Sequence, residues 1–128
     1  MTSPIWVREA VVIAIHHRQL AEHGGSDGIR DKGLLESALF RPHNQYNYGN
    51  PTIFELAAAY GYGLTNNHPF IDGNKRTAYV VMRTFLELNG YSIQASPKEK
   101  YEVWIRLASG QLDESDLATW IEEKSVKN

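Results

Sequence analysis

The sequence predicts an all-α fold in a single domain, and three observations carry that prediction. Apolar residues recur at helical spacing in several stretches, and short clusters of Gly, Pro, Asn and Asp separate those stretches. Capping signatures stand in front of them: Thr52 with Glu55, Ser96-Pro97 with Glu99, and Asp113. At 128 residues the chain can bury a core of its own, so residues 1–128 are expected to form one compact bundle of about six helices.

Ser3-Pro4 reads as an N-cap followed by proline at the first helical position. Val7, Ala10, Val11 and Ala14 then mark the inward face of a first helix that runs to about Glu22. Gly24 and Gly25 end it. The loop "HGGSDGIRD" closes at Asp31, which caps a short second helix from Lys32 to Leu39. Arg41-Pro42 is expected to stop that helix, because proline lacks the N–H that continues the ladder. "PHNQYNYGNP" then reads as a polar, aromatic surface loop.

Thr52 and Glu55 form a capping box for a buried third helix, "IFELAAAYGYGLTNN", whose Ala and Gly content suits close helix contacts. Ala78, Val81, Met82 and Phe85 mark the buried face of a fourth helix ending at Asn89-Gly90. Tyr91 to Gln94 is a short extended link. Ser96 and Glu99 suggest a second capping box for a fifth helix over Pro97 to Ser109. Asp113 caps a last helix through about Lys124. There is no internal repeat.

Composition narrows the function. With no cysteine, disulfides, zinc–thiolate sites and cysteine nucleophiles are excluded. A formal net charge of -2 gives no case for direct nucleic acid binding as the main role, although a local basic patch can still hold phosphates. Val11 to Ile15 is too short to cross a bilayer and no signal-peptide pattern precedes it, so a cytoplasmic protein with no membrane partner is expected. His16, His17 and His23 have no acid at ligand spacing and read as solvated.

The stretch that breaks a local rule is "NNHPFIDGNKRTAYVV", residues 66–81. Pro69 forces His68 out of the α region and ends the third helix, and the fourth begins six residues later. Phe70 and Ile71 have reason to turn inward and pin the short loop. Lys75 and Arg76 then sit in a helix's first turn, where cations oppose the partial positive charge. An oligophosphate in that gap would reverse the sign of the effect. Gly73 allows close approach, and the amides of Asn74 and Lys75 form an anion site. Asp72 can hold Mg²⁺, which takes one or two carboxylates alongside phosphate oxygens and water. A histidine at 68 suits proton transfer from an attacking hydroxyl.

His68-Pro69-Phe70-Ile71-Asp72-Gly73-Asn74-Lys75-Arg76 resembles the signature of the Fic superfamily, in the variant of death-on-curing (Doc) toxins. "GGSDGIRDKGLLESALFRP" and "FLELNGY" are also similar to Doc-type sequences. Lys75 stands where the adenylyl-transferring members have a second glycine, and Tyr79 where they have a final arginine. By that resemblance the chain is a toxin kinase that uses ATP and Mg²⁺. It implies transfer of the γ-phosphoryl to a threonine of elongation factor Tu and arrest of translation. His68 would be the base, Asp72 the metal ligand, and Gly73, Asn74, Lys75 and Arg76 the phosphate holders, with Lys75 also in the catalytic set.

Two alternatives stay open: AMP transfer, as in the wider superfamily, and a silent co-repressor that only pairs with an antitoxin. The resemblance gives Tyr46 to Gly49 either a target-docking role or that of plain surface cover. No glutamate here is followed by glycine or asparagine, so the family's inhibitory motif is missing and restraint is expected from a Phd-like antitoxin. Trp6, Trp104 and Trp120 are candidates for its groove or for the core.

Overall fold

The computed structural model describes residues 3–128. Six helices follow in order: α1 (Glu9–His23), α2 (Lys32–Tyr48), α3 (Ile53–Asn67), α4 (Asn74–Leu88), α5 (Pro97–Ala108) and α6 (Glu114–Lys124). Two three-residue strands, β1 (Tyr91–Ile93) and β2 (Ser125–Lys127), complete the chain. α3 is the hub and packs on α2, α4, α5 and α6, while α1 lies on α4. Its small residues allow this: a Cβ added at Gly61 would stand 3.1 Å from the Trp104 ring, so the indole of α5 rests against the backbone of α3. The α4 face predicted from periodicity is the buried one, with Ala78, Val81, Met82 and Phe85 each at 0% exposure.

The caps at Asp31, Thr52, Ser96 and Asp113 all accept from the backbone N–H three residues on, so four helix starts are fixed locally. Thr52–Glu55 and Asp113–Asp116 are reciprocal capping boxes. Ser96 caps from one side alone, because the Glu99 carboxylate turns to Lys124 at 3.2 Å instead.

The N-terminus departs from expectation. α1 starts at Glu9 and not at Pro4, because residues 5–7 are held outside the helix by partners far along the chain. Ile5 N–H donates to Asn89 Oδ1 (2.8 Å), Asn89 Nδ2 donates back to Ile5 O, and Val7 N–H donates to the Tyr60 hydroxyl. The inward face of α1 is Val12, His16 and Gln19, whereas Ala10, Val11 and Ala14 are exposed. His16 is therefore buried and not solvated.

α2 also overturns its predicted stop. It runs through Pro42 to Tyr48, so "PHNQYNYGNP" is mostly helix. Proline in a helix interior costs about 3 kcal/mol. Tertiary contacts hold the second half regardless: Arg41 and Gln45 both bond Glu114 of α6, and His43 stacks on Trp6 with ring centroids 3.9 Å apart. Tyr91 to Gln94 is extended as predicted, but it pairs antiparallel with β2, Ser92 opposite Val126. This small ribbon ties the C-terminus to the end of α4. Among the described residues no helix is long and apolar enough to cross a membrane.

Candidate functional site

The strap between α3 and α4 is held from three sides. Within it, Asn74 Oδ1 accepts from Phe70 N–H (2.9 Å), and Asn74 Nδ2 donates to Phe70 O (2.9 Å) and towards His68 Nδ1 (3.2 Å). From the front, the glycine loop of residues 24–31 lies along it: Arg30 N–H donates to Pro69 O, Ile71 N–H to Gly28 O, and Ile29 bridges Phe70. The Arg30 guanidinium closes on the carbonyls of His68 (2.7 Å) and Asn67 (3.0 Å). From behind, His16 Nε2 meets Asp72 O at 2.8 Å, and its ring stacks on Phe70 at 3.8 Å. Phe70 is buried as predicted, whereas Ile71 is 53% exposed. Its neighbour Phe70 takes the inward place, and consecutive extended residues face opposite ways.

This bracing explains a strained backbone. His68 has φ 53° and ψ 52°, and among the described residues it alone, apart from glycines, has positive φ. The chain leaves α3 through that left-handed residue and enters α4 through another, Gly73 at φ 76°, which a side chain would disfavour.

The start of α4 is left without a cap. Gly73 offers no side chain, its own N–H is bonded to Asp72 Oδ1, and no acid stands in the first turn. The N–H groups of Asn74, Lys75 and Arg76 have no partner among the described residues. Four other helices carry a side-chain cap at this position. The three amides point their partial positive charge past exposed Lys75 and Arg76, which makes a cradle for an anion.

The cradle opens into a cavity of about 870 Å³ that collects every residue singled out from the motif: His68, Asp72, Gly73, Asn74, Lys75 and Arg76. Its opposite wall is α5, with Lys100, Tyr101, Trp104 and Ile105. Tyr79 stands between the walls, its hydroxyl buried and without a partner among the described residues. The Arg83 guanidinium and the Lys100 ammonium lie 5.8 and 5.7 Å from its ring centroid. One wall is cationic and polar and the other, Lys100 apart, aromatic and apolar, the usual division of a site for a charged organic ligand. The exposed Asp72 carboxylate borders the cradle, so its donor set fits a Mg²⁺ ion shared with phosphate oxygens.

Sequence reading missed Arg30, His16 and Lys100. They come from the glycine loop, α1 and α5 and meet the motif only in space; a histidine at i, i+4 from Val12 was the one available signal for His16. The structure also separates residues that had been grouped. Tyr46 to Gly49 lie at the opposite end of α3 from His68, about 20 Å along a 15-residue helix, so they do not flank the strap. Trp104 forms the cavity wall, Trp6 stacks on His43 at the N-terminal strap, and Trp120 is half-buried on α6. The three share no groove.

An all-α bundle whose uncapped helix start follows a His-Pro-Phe-Ile-Asp-Gly strap defines a helical protein with an anion cradle. Residues 6–86 match the Fic/DOC family, and the chain belongs to that family. It is 43% identical over 75 residues to toxin Doc of Mycolicibacterium smegmatis, a match spanning 56% of this chain and 57% of that one. It is 43% identical over 85 residues to protein adenylyltransferase Fic of Drosophila ananassae, covering 64% of this chain and 17% of that protein. A solved N-terminal Fic domain of a Bartonella quintana cell filamentation protein, with bound ADP, superposes with a TM-score of 0.52 at 19% identity. That superposition covers 76% of this chain and 48% of the other and speaks for the fold. The chain thus spans little more than half of the toxin it matches. The α5 wall of the cavity lies beyond the matched residues.

Proposed function

We propose that this chain is a Doc-type toxin that binds ATP with Mg²⁺ and transfers the γ-phosphoryl group to a protein hydroxyl. The observation that carries this is the uncapped start of α4: three unpartnered amides beside Lys75 and Arg76, in one cavity with His68. In the reaction the hydroxyl oxygen bonds to Pγ, the Pγ–O bond to the β-phosphate breaks, and ADP leaves. Such a transfer needs positioning and charge neutralisation more than covalent help, and the cradle supplies both. Bound at Asp72, Mg²⁺ would neutralise phosphate charge.

His68 takes the hydroxyl proton. Asn74 constrains how: its Oδ1 is committed to Phe70 N–H, so Nδ2 faces His68 Nδ1 as a donor. A neutral ring held this way carries its hydrogen on Nε2. To accept a proton there, the ring must change tautomer and release a contact that is already long at 3.2 Å.

By the Doc resemblance the target is a threonine of elongation factor Tu, the setting is the cytoplasm, and a Phd-like antitoxin restrains the enzyme. AMP transfer is the second reading, favoured by the similarity to the Drosophila adenylyltransferase. By the resemblance, Lys75 weighs against it, since the adenylyl-transferring members have a second glycine at that position.

One assay separates them. Purified chain, Mg²⁺ and elongation factor Tu are incubated with γ- or α-labelled ATP, with His68→Ala as the control. Transfer of the γ label alone, lost in the variant, is the expected result. Transfer of the α label establishes AMP transfer, and no transfer of either leaves the co-repressor reading.

A further inference from the structure

On the far side of the strap from the cavity, His16, His17 and Asp27 bring one metal-binding atom each to within 4.8 Å of one another. None of the three lines the cavity. His16 belongs to the buried face of α1, His17 follows it on the exposed side, and Asp27 comes from the glycine loop. Three further observations turn this cluster into a ligand set.

First, the tautomer of His16 is fixed. A backbone carbonyl can only accept, so the 2.8 Å contact of His16 Nε2 with Asp72 O places the hydrogen on Nε2 and leaves the Nδ1 lone pair for a cation. A ligating histidine whose other nitrogen donates to a carbonyl is the usual outer-shell arrangement at metal centres. Second, the Asp27 carboxylate is oriented, because its Oδ1 accepts from Gly28 N–H at 2.8 Å. Third, His17 Nε2 and Asp27 Oδ1 are 3.5 Å apart. Two ligands bound at zinc distances with a tetrahedral angle are separated by about 3.3 Å. His17 and Asp27 are exposed enough to make the remaining adjustment.

We infer that His16, His17 and Asp27 form a site for a transition-metal dication of the Zn²⁺ class, with solvent completing the coordination. Two imidazoles and one carboxylate are soft enough to prefer Zn²⁺ over Mg²⁺. The site is separate from the one proposed at Asp72 and does not depend on the reaction assigned to the cavity. Its consequence is mechanical. The metal would tie the glycine loop to α1, and that loop carries the Ser26 N–H donated to Asp72 and the Gly28 carbonyl that receives Ile71 N–H. A bound dication therefore steadies the strap from the side opposite the cavity.

The test uses untagged full chain titrated with Zn²⁺ by calorimetry, and with Co²⁺ for its visible absorption. The expected result is one Zn²⁺ per chain. His17→Ala and Asp27→Ala, both at exposed positions that do not threaten folding, each weaken binding by at least about tenfold, and His23→Ala, at an exposed histidine outside the cluster, leaves it unchanged. Hydrogen exchange at Arg30 and Ile71 slows on adding Zn²⁺ to the wild type and not to His17→Ala. Absence of Zn²⁺ binding overturns the proposal. So does binding that survives His17→Ala and Asp27→Ala, or that is lost in His23→Ala.

Discussion

His68 sits in a left-handed conformation because everything around it is spoken for: its carbonyl by Arg30, its ring by Asn74, and the next turn by Pro69. Such strain persists when neighbours over-determine it. Asn74 is the densest of those neighbours, with three bonds into the strap. In the free protein, ring nitrogen chemical shifts should therefore report His68 as the Nε2–H tautomer, and Asn74→Ala should shift it to a mixture. The same variant strands Phe70 N–H and O and should lower stability by roughly 2–4 kcal/mol, read from urea unfolding. An unchanged tautomer in the variant would show that Asn74 does not set it. Tyr60 makes a second prediction at this scale. Burial pushes its hydroxyl up to about 12, against a smaller opposing pull from its backbone bond to Val7. The folded value lies above the unfolded one of about 10, so this contribution is complete below pH 10 and is lost as pH rises from 10 towards 12. Tyr60→Phe should flatten that alkaline decline, at the cost of an unpaired Val7 N–H at neutral pH.

Among the elements, those with local signals were legible in the sequence and those made by distant partners were not. α3, α4, α5 and α6 are written in caps and periodicity, within one or two residues of their ends. The strap at residues 5–7 is kept out of α1 by Asn89 and Tyr60, and α2 outlasts Pro42 because of Glu114 and Trp6, none of which is near in sequence. β2 is three residues long and has no pattern to read. The site divides the same way: nine contiguous residues announced the cradle, whereas His16 reaches Asp72 across 56 positions. Two predictions belong here. The bond to Glu114 is the main cause that raises the Arg41 pKa, and Glu114→Ala removes that pair and the Gln45 bond together. Arg41 is 43% exposed, so screening limits the loss to about 1 kcal/mol, and added salt should shrink the difference. His16→Ala removes a buried ring from Phe70 and a donor from Asp72 O, and should destabilise by roughly 2–4 kcal/mol. His16→Gln, which keeps a donor, should recover part of it; thermal unfolding of both variants decides.

Across the whole molecule the charge is nearly balanced at -2, yet the cavity gathers Lys75, Arg76 and Lys100 around one carboxylate, Asp72. Attraction of an anion is therefore a local property of the two walls, and it should respond to salt as a local property does. Tyr79 puts an aromatic ring where the adenylyl-transferring relatives of the resemblance have a cation. Lys100, arriving from α5 over the Tyr79 ring, returns a positive charge to that part of the cavity. If Lys100 holds a phosphate of the bound nucleotide, Lys100→Ala should weaken ATP by roughly 5- to 30-fold, the equivalent of 1–2 kcal/mol for one charged contact. It should leave adenosine binding unchanged and make the dependence of ATP affinity on salt shallower. Lys98, two residues earlier, is 86% exposed, pairs with Glu102 and does not line the cavity. Lys98→Ala changes the net charge equally and should leave ATP binding as it was. Equal losses from the two variants would mean that the long-range field attracts the nucleotide. A loss confined to Lys100→Ala makes α5 the second half of the phosphate site, completed by residues outside the matched segment of the family.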